Sequence, residues 1–81
     1  MGIKMINIGF GNLVNTDRIV AIINSDSAPA KRIVQNAKEH NLLIDATQGR
    51  RTKSILITDT GQIVISSLQP DTLSGRFTPG K

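Results

Sequence analysis

Along residues 3–10, Ile6, Ile8 and Phe10 alternate with Asn7 and Gly9, the two-residue period of a strand with one buried face. Gly9 and Gly11 flank Phe10 and predict a bend or bulge at that point. A polar turn, Asn15-Thr16-Asp17, precedes Arg18 and the run Ile19-Val20-Ala21-Ile22-Ile23. A run apolar on both faces predicts a central strand, or one covered by another subunit. The period then changes. Ala30, Ile33, Val34 and Ala37 recur at helical spacing, with Lys31, Arg32, Gln35, Lys38 and Glu39 on the opposite face. Pro29 suits the first helical turn, where a missing N–H costs least, so a helix is predicted over 28–40, ended by Asn41. The small side chains of Ala30 and Ala37 let this helix approach a sheet closely.

Leu42-Leu43-Ile44 and Ile55-Leu56-Ile57 are short, wholly apolar runs with the character of buried strands. Segments 54–58 and 62–68 flank Asp59-Thr60-Gly61, a link that suits a type I turn closed by a bulge, and so predict a hairpin. Pro70 can open a short helical turn that packs Leu73 and Phe77 onto the sheet. Residues 78–81 read as a frayed tail. The pattern therefore predicts one α+β domain over 1–81. Its sheet is small, largely antiparallel and of about five strands, with one main helix on one face and a short C-terminal helical turn. A single helix covers the runs at 19–23, 55–57 and 63–65 poorly, which argues that subunit contacts hide the remainder.

Composition sharpens that argument. An 81-residue chain buries only roughly 60% of the surface it exposes when unfolded. Phe10 and Phe77 are its only aromatic residues, and there is no Cys, so disulfides and thiolate metal sites are excluded. One His builds no familiar zinc site, and neither metal nor cofactor is expected. Partner subunits are the remaining form of support for so small a core. His40 reads as a charge partner for the end of the helix, and nothing local supplies the nucleophile and orienting acid of a catalytic histidine. The expectation is a protein that is not an enzyme and takes no small-molecule substrate. Gly9-Phe10-Gly11 fails as a nucleotide-binding fingerprint because Val14 occupies the place of the third glycine.

Net charge is +4 and the pI about 10.2, which suggests an anionic partner: nucleic acid first, an acidic membrane surface second. No apolar run approaches the roughly 18 residues of a membrane span. The first residues show no secretory signal, so a cytoplasmic address without membrane attachment is expected. The basic residues are not evenly spread. Arg50, Arg51 and Lys53 follow Gly49 directly, in a loop between two strand-like runs, with Thr47 and Thr52 beside them. Guanidinium groups bind phosphate oxygens bidentately and threonine adds a short hydrogen bond, while Gly49 takes a positive φ at little cost. Asp45 reads as an acceptor that ties the loop down. Arg18 is either a second arm of this basic surface or an incidental ion-pair partner of Asp17. Local composition leaves open a solvated hairpin tip whose charges only maintain solubility.

Four blocks together resemble one family. Ile6-Asn7-Ile8-Gly9-Phe10-Gly11-Asn12, Ser27-Ala28-Pro29, Leu43-Ile44-Asp45-Ala46-Thr47 and Gly49-Arg50-Arg51-Thr52 are similar, in this order, to the RemA family of bacterial extracellular-matrix regulatory proteins. The likeness runs from Ile3 to about Thr72. It implies a small duplex-DNA-binding protein that forms ring-like homo-oligomers of more than two subunits and activates transcription of biofilm-matrix operons. It also implies that Arg18, Arg50 and Arg51 contact DNA, with Thr52 and Lys53 in the same loop, and that the proline at position 29 matters to function. We read Pro29 as a device for starting the helix. No recognition helix with base-reading side chains is evident, so binding through phosphate contacts and DNA shape is expected. Two alternatives remain: an RNA-binding module, for which Phe10 is the only stacking platform away from the C-terminal end, and a structural oligomer with no nucleic-acid role.

Overall fold

Six strands and two helices follow one another in the computed structural model, which describes residues 4–77. In chain order they are β1 (Met5–Asn7), β2 (Leu13–Asn15), β3 (Ile19–Asn24), α1 (Ala28–Glu39), β4 (Leu43–Asp45), β5 (Ser54–Thr58), β6 (Ile63–Ser66) and α2 (Pro70–Phe77). The α+β class is as the sequence pattern predicts. The strands, however, divide between two sheets: an antiparallel pair, β1-β2, and a four-stranded sheet in the order β3-β5-β6-β4. Gly9-Phe10-Gly11 makes the expected bend, as the tip of the β1-β2 hairpin and not as a bulge within one long strand, with Ile6 opposite Val14.

In the larger sheet β3 pairs antiparallel with β5, and β5 with β6, as the Asp59-Thr60-Gly61 turn requires. Gly61 takes φ 92°, and Thr58 N donates to the Gln62 carbonyl at 3.1 Å. β4 joins the far side of β6 in parallel, with Ile44 opposite Val64. Residues 46–53 therefore form no hairpin tip: they carry the chain past the end of β6 to reach β5. Two burial expectations change with this order. β3 is an edge strand, not a central one, and its register slips between Ile19 and Ala21 so that Val20 projects into solvent at 65% exposure. β4 is the opposite edge, and Ile44 is exposed.

The two faces of the sheet carry separate cores. On one, Ala30 and Ala37 bring α1 against Ile55, Ile63 and Ile65, with Ile33 and Val34 at the margin. Both alanines are essentially inaccessible, which is the close approach their size permits. Ser27 caps this helix by accepting from Ala30 N at 3.3 Å, Pro29 lies in the first turn, and His40 Nδ1 bonds the Asn36 carbonyl at 2.8 Å beyond the last turn. On the other face, Ile6 and Ile8 from the hairpin and Leu73 from α2 close over Leu56 and Val64. Burying a leucine as fully as Leu56 contributes about 2 kcal/mol.

The second face is thus covered by the chain's own hairpin and by an eight-residue α2, longer than the short turn expected. This corrects the expectation that 63–65 meets another subunit: Ile63, Val64 and Ile65 are each buried within the chain. Of the three runs expected to be poorly covered, only β3 keeps an exposed apolar side chain, Val20. The tail at 78–81 lies outside the described residues.

Candidate nucleic-acid interface

The loop from Ala46 to Lys53 is fastened at both ends. At its start Ala46 N donates to the Ile65 carbonyl at 3.0 Å. Asp45 Oδ1 accepts from Thr47 N at 2.8 Å and from Thr47 Oγ1 at 2.6 Å, which draws Thr47 into the interior. Those two bonds stabilise the carboxylate, with Lys38 adding its charge, and hold the Asp45 pKa below its ordinary value against a small opposing effect of burial. At the end of the loop Lys53 N donates to the Ser66 carbonyl at 2.8 Å, and Ser25 Oγ donates to the Thr52 carbonyl at 2.9 Å. Between these anchors Arg50 N closes a turn onto the Thr47 carbonyl at 2.9 Å. The turn takes Gln48 and Gly49 through positive φ, 54° and 78°. Glycine adopts that conformation freely, whereas Gln48 is strained.

This backbone places Arg50, Arg51 and Lys53 on the surface, with Thr52 half-buried between them. Arg51 lies 3.9 Å from Asp26, but both side chains are about 80% exposed, so the pair contributes little and leaves the guanidinium available. Arg50 lies over the Phe10 ring, its central carbon 5.9 Å from the ring centre. Lys31 and Lys38 of α1 border the same region. Together with Arg51 they rim a cavity of about 410 Å³ floored by Ala30, Val34 and Ile55. The sequence pattern places these lysines only on the polar helix face. Their seven-residue spacing, two helical turns, was the available signal that they share one side.

Arg18 stands apart. Its carbonyl accepts from Asp59 N and its guanidinium pairs with Asp59 at 3.5 Å, at the end of β3 remote from Asn24 and Asp26. Six residues of strand separate it from the Arg51 end, roughly 20 Å at about 3.3 Å per residue. The three arginines therefore make no single patch on one protomer. A duplex would have to run along β3, or meet a neighbouring copy, to touch all of them. The ion pair of Arg18 is with Asp59, not with its chain neighbour Asp17. Among the described residues no three His, Cys, Asp or Glu side chains converge to hold a metal ion, and no helix is long and apolar enough to cross a membrane.

The sequence pattern of the RemA-like family, described as extracellular matrix regulatory protein A-like, matches residues 5–77. This chain belongs to the RemA-like family. Its relatives include a candidate regulatory protein of Brevibacillus brevis, 53% identical over 78 residues that make up 96% of this chain and 91% of the relative. A candidate regulatory protein of Alkaliphilus oremlandii is 55% identical over 77 residues, 95% of this chain and 83% of its own length. Another from Thermoanaerobacter is 52% identical over 81 residues, all of this chain and 84% of the relative. Family and relatives alike are described as regulators rather than as enzymes. Family membership spans the hairpin, both cores and the basic loop, so the regulatory assignment applies to the whole described fold.

Proposed function

We propose that this protein is a transcriptional regulator of duplex DNA, acting in the cytoplasm as a ring-like homo-oligomer. The observation that carries the reading is the basic turn: Arg50, Arg51 and Lys53 exposed on a loop whose two ends are fastened to β6. A fixed backbone presents these cations without the ordering cost of a mobile tail. Lys31 and Lys38 extend the positive surface, and among the described residues the only carboxylate in an ion pair with the loop's cations is the exposed Asp26. Such a surface suits phosphate oxygens and carries little sequence information, so DNA shape supplies much of the selectivity. Activation of extracellular-matrix operons accords with the family's description.

Assembly is supported by the two sheet edges. Val20 on β3 and Ile44 on β4 are exposed apolar residues at opposite edges of the same sheet. Different patches on opposite sides favour a head-to-tail contact, which closes into a ring when the rotation permits. A ring repeats the basic turn, and many weak contacts then act together on one DNA molecule.

The test is a competition at matched salt between heterologous duplex DNA and single-stranded RNA of equal length, with the mass of the assembly followed by sedimentation. Preferential binding of the duplex by an assembly of more than two subunits is expected. Preference for RNA, or no binding to either, contradicts the reading.

A further inference from the structure

Phe10 is one of the chain's two aromatic residues, yet it is 51% exposed at the tip of the β1-β2 hairpin. Its backbone is strained: φ is 55°, a left-handed value that a bulky residue adopts only at a cost. Gly9 and Gly11 on either side are also at positive φ, 118° and 78°. The tip is nevertheless tightly held. Ile8 N donates to the Asn12 carbonyl at 2.8 Å, Asn12 Nδ2 to the Gly9 carbonyl at 2.9 Å, and Gly9 N to Asn7 Oδ1 at 2.7 Å. Neither core accounts for the ring, whereas Ile8 two residues earlier is fully buried.

The hairpin tip and the basic loop share an anchor. Ser66 Oγ donates to the Ile8 carbonyl at 2.7 Å, and the Ser66 carbonyl accepts from Lys53 N at 2.8 Å. One buried residue thus positions both segments, and the Arg50 guanidinium lies over the Phe10 ring at 5.9 Å. A cation within about 6 Å of an aromatic face is attracted to it, so Arg50 and the Phe10 ring support one another, and the guanidinium has further N–H donors with which to meet phosphate.

We propose that Phe10 is an apolar wedge that enters the minor groove of duplex DNA and partly unstacks a base step, with Arg50 on the adjoining phosphate. This inference rests on the duplex-DNA reading above and adds to it a contact that is not electrostatic. Apolar side chains on proteins that bend DNA act in this way, and the kink they introduce lets more of the basic surface reach the backbone. The strained φ is the cost of pointing the ring outward.

The experiment compares the full-length protein with Phe10→Leu, Phe10→Asn and Arg51→Ala on an end-labelled heterologous duplex. It measures affinity at several salt concentrations, the DNA bend by energy transfer, the mass of the assembly and the melting temperature. Phe10→Asn should bind about tenfold more weakly, the equivalent of losing one base-stacking contact. Its salt dependence should be unchanged, its DNA bend smaller and its melting temperature higher, because asparagine tolerates the left-handed conformation better. Phe10→Leu keeps an apolar wedge and should retain most of the affinity and bend. Wild-type affinity and bend in Phe10→Asn would overturn the proposal, as would weaker binding without a change in bend. Loss of binding together with a smaller assembly would instead make Phe10 a contact between copies, and would equally overturn it. If Arg51→Ala weakens binding while Phe10→Asn does not, the wedge fails and the DNA-binding reading stands. If the wild-type protein does not bind the duplex, both fail.

Discussion

Ser66→Ala removes one hydroxyl from a side chain with no accessible surface. That oxygen donates to the Ile8 carbonyl at 2.7 Å and accepts from Leu68 N at 3.0 Å, so the substitution leaves two backbone groups without their partner. Each buried group so orphaned costs about 1–3 kcal/mol. Leu68 is only half-buried and its N–H can recover part of the loss from water, so the total should be about 2 kcal/mol. In a domain of this size, each kcal/mol lowers the melting temperature by about 4–8 °C, which places Ser66→Ala about 8–16 °C below the parent protein. The assay is thermal unfolding by circular dichroism at one fixed protomer concentration, because assembly makes the melting temperature concentration-dependent. Thr72→Ala on exposed α2 is the control and should change stability by less than about 0.5 kcal/mol. A Ser66→Ala protein melting within about 2 °C of the parent would refute the claim that this hydroxyl joins hairpin and sheet.

Two further substitutions probe the devices that shape the site. Pro29→Ser should cost about 0.5–1 kcal/mol, because the proline's fixed φ suits the first turn of α1, and an unchanged melting temperature would contradict this. Asp45→Ala removes both acceptor bonds to Thr47 and should lower stability at neutral pH. The Asp45 pKa is depressed in the folded state, so its contribution is present above the ordinary carboxylate range and disappears as pH falls through the lower, folded value. The parent and variant melting temperatures should accordingly converge in strong acid; a gap that persists there would count against the Asp45–Thr47 bonds as its cause.

The parts of this fold legible in the sequence are those whose signal repeats within one element. The face of α1 shows three turns of 3.6-residue period with Ser27 and Pro29 at its start, and the β5-β6 hairpin carries its own turn residues. The β1-β2 hairpin was missed because three-residue strands are too short to display a period, and its glycine-flanked tip reads equally well as a bulge. Strand neighbours were the larger gap. Leu43-Ile44 and Ile55-Leu56 look alike as text, yet one lies at an edge beside β6 and the other in the centre, a difference decided by chain path and not by local composition. The second covering layer is legible only in part: Leu73 and Phe77 pack onto the sheet as their spacing predicts, whereas the β1-β2 hairpin that completes the layer comes from the opposite end of the chain. The basic turn was legible because its glycine and cations are contiguous. Its distance from Arg18 was not, because that distance is set by the length and antiparallel pairing of β3.

The central claim is that the turn at 50–53 meets DNA phosphates, and the salt dependence of binding tests it most directly. Each phosphate contact adds about −0.9 to the slope of log K against log salt, so two protomers making three contacts each should give a slope near −5. Arg51→Ala should weaken binding to any duplex and flatten that slope by about 0.9 for each protomer engaged, with the mass of the assembly unchanged. Arg32→Ala, on α1 beside Leu42 and Gly61 and away from the turn, should leave both affinity and slope near those of the parent. If Arg51→Ala and Arg32→Ala prove indistinguishable in affinity and in slope, the basic turn does not contact DNA, and the account is contradicted at its centre.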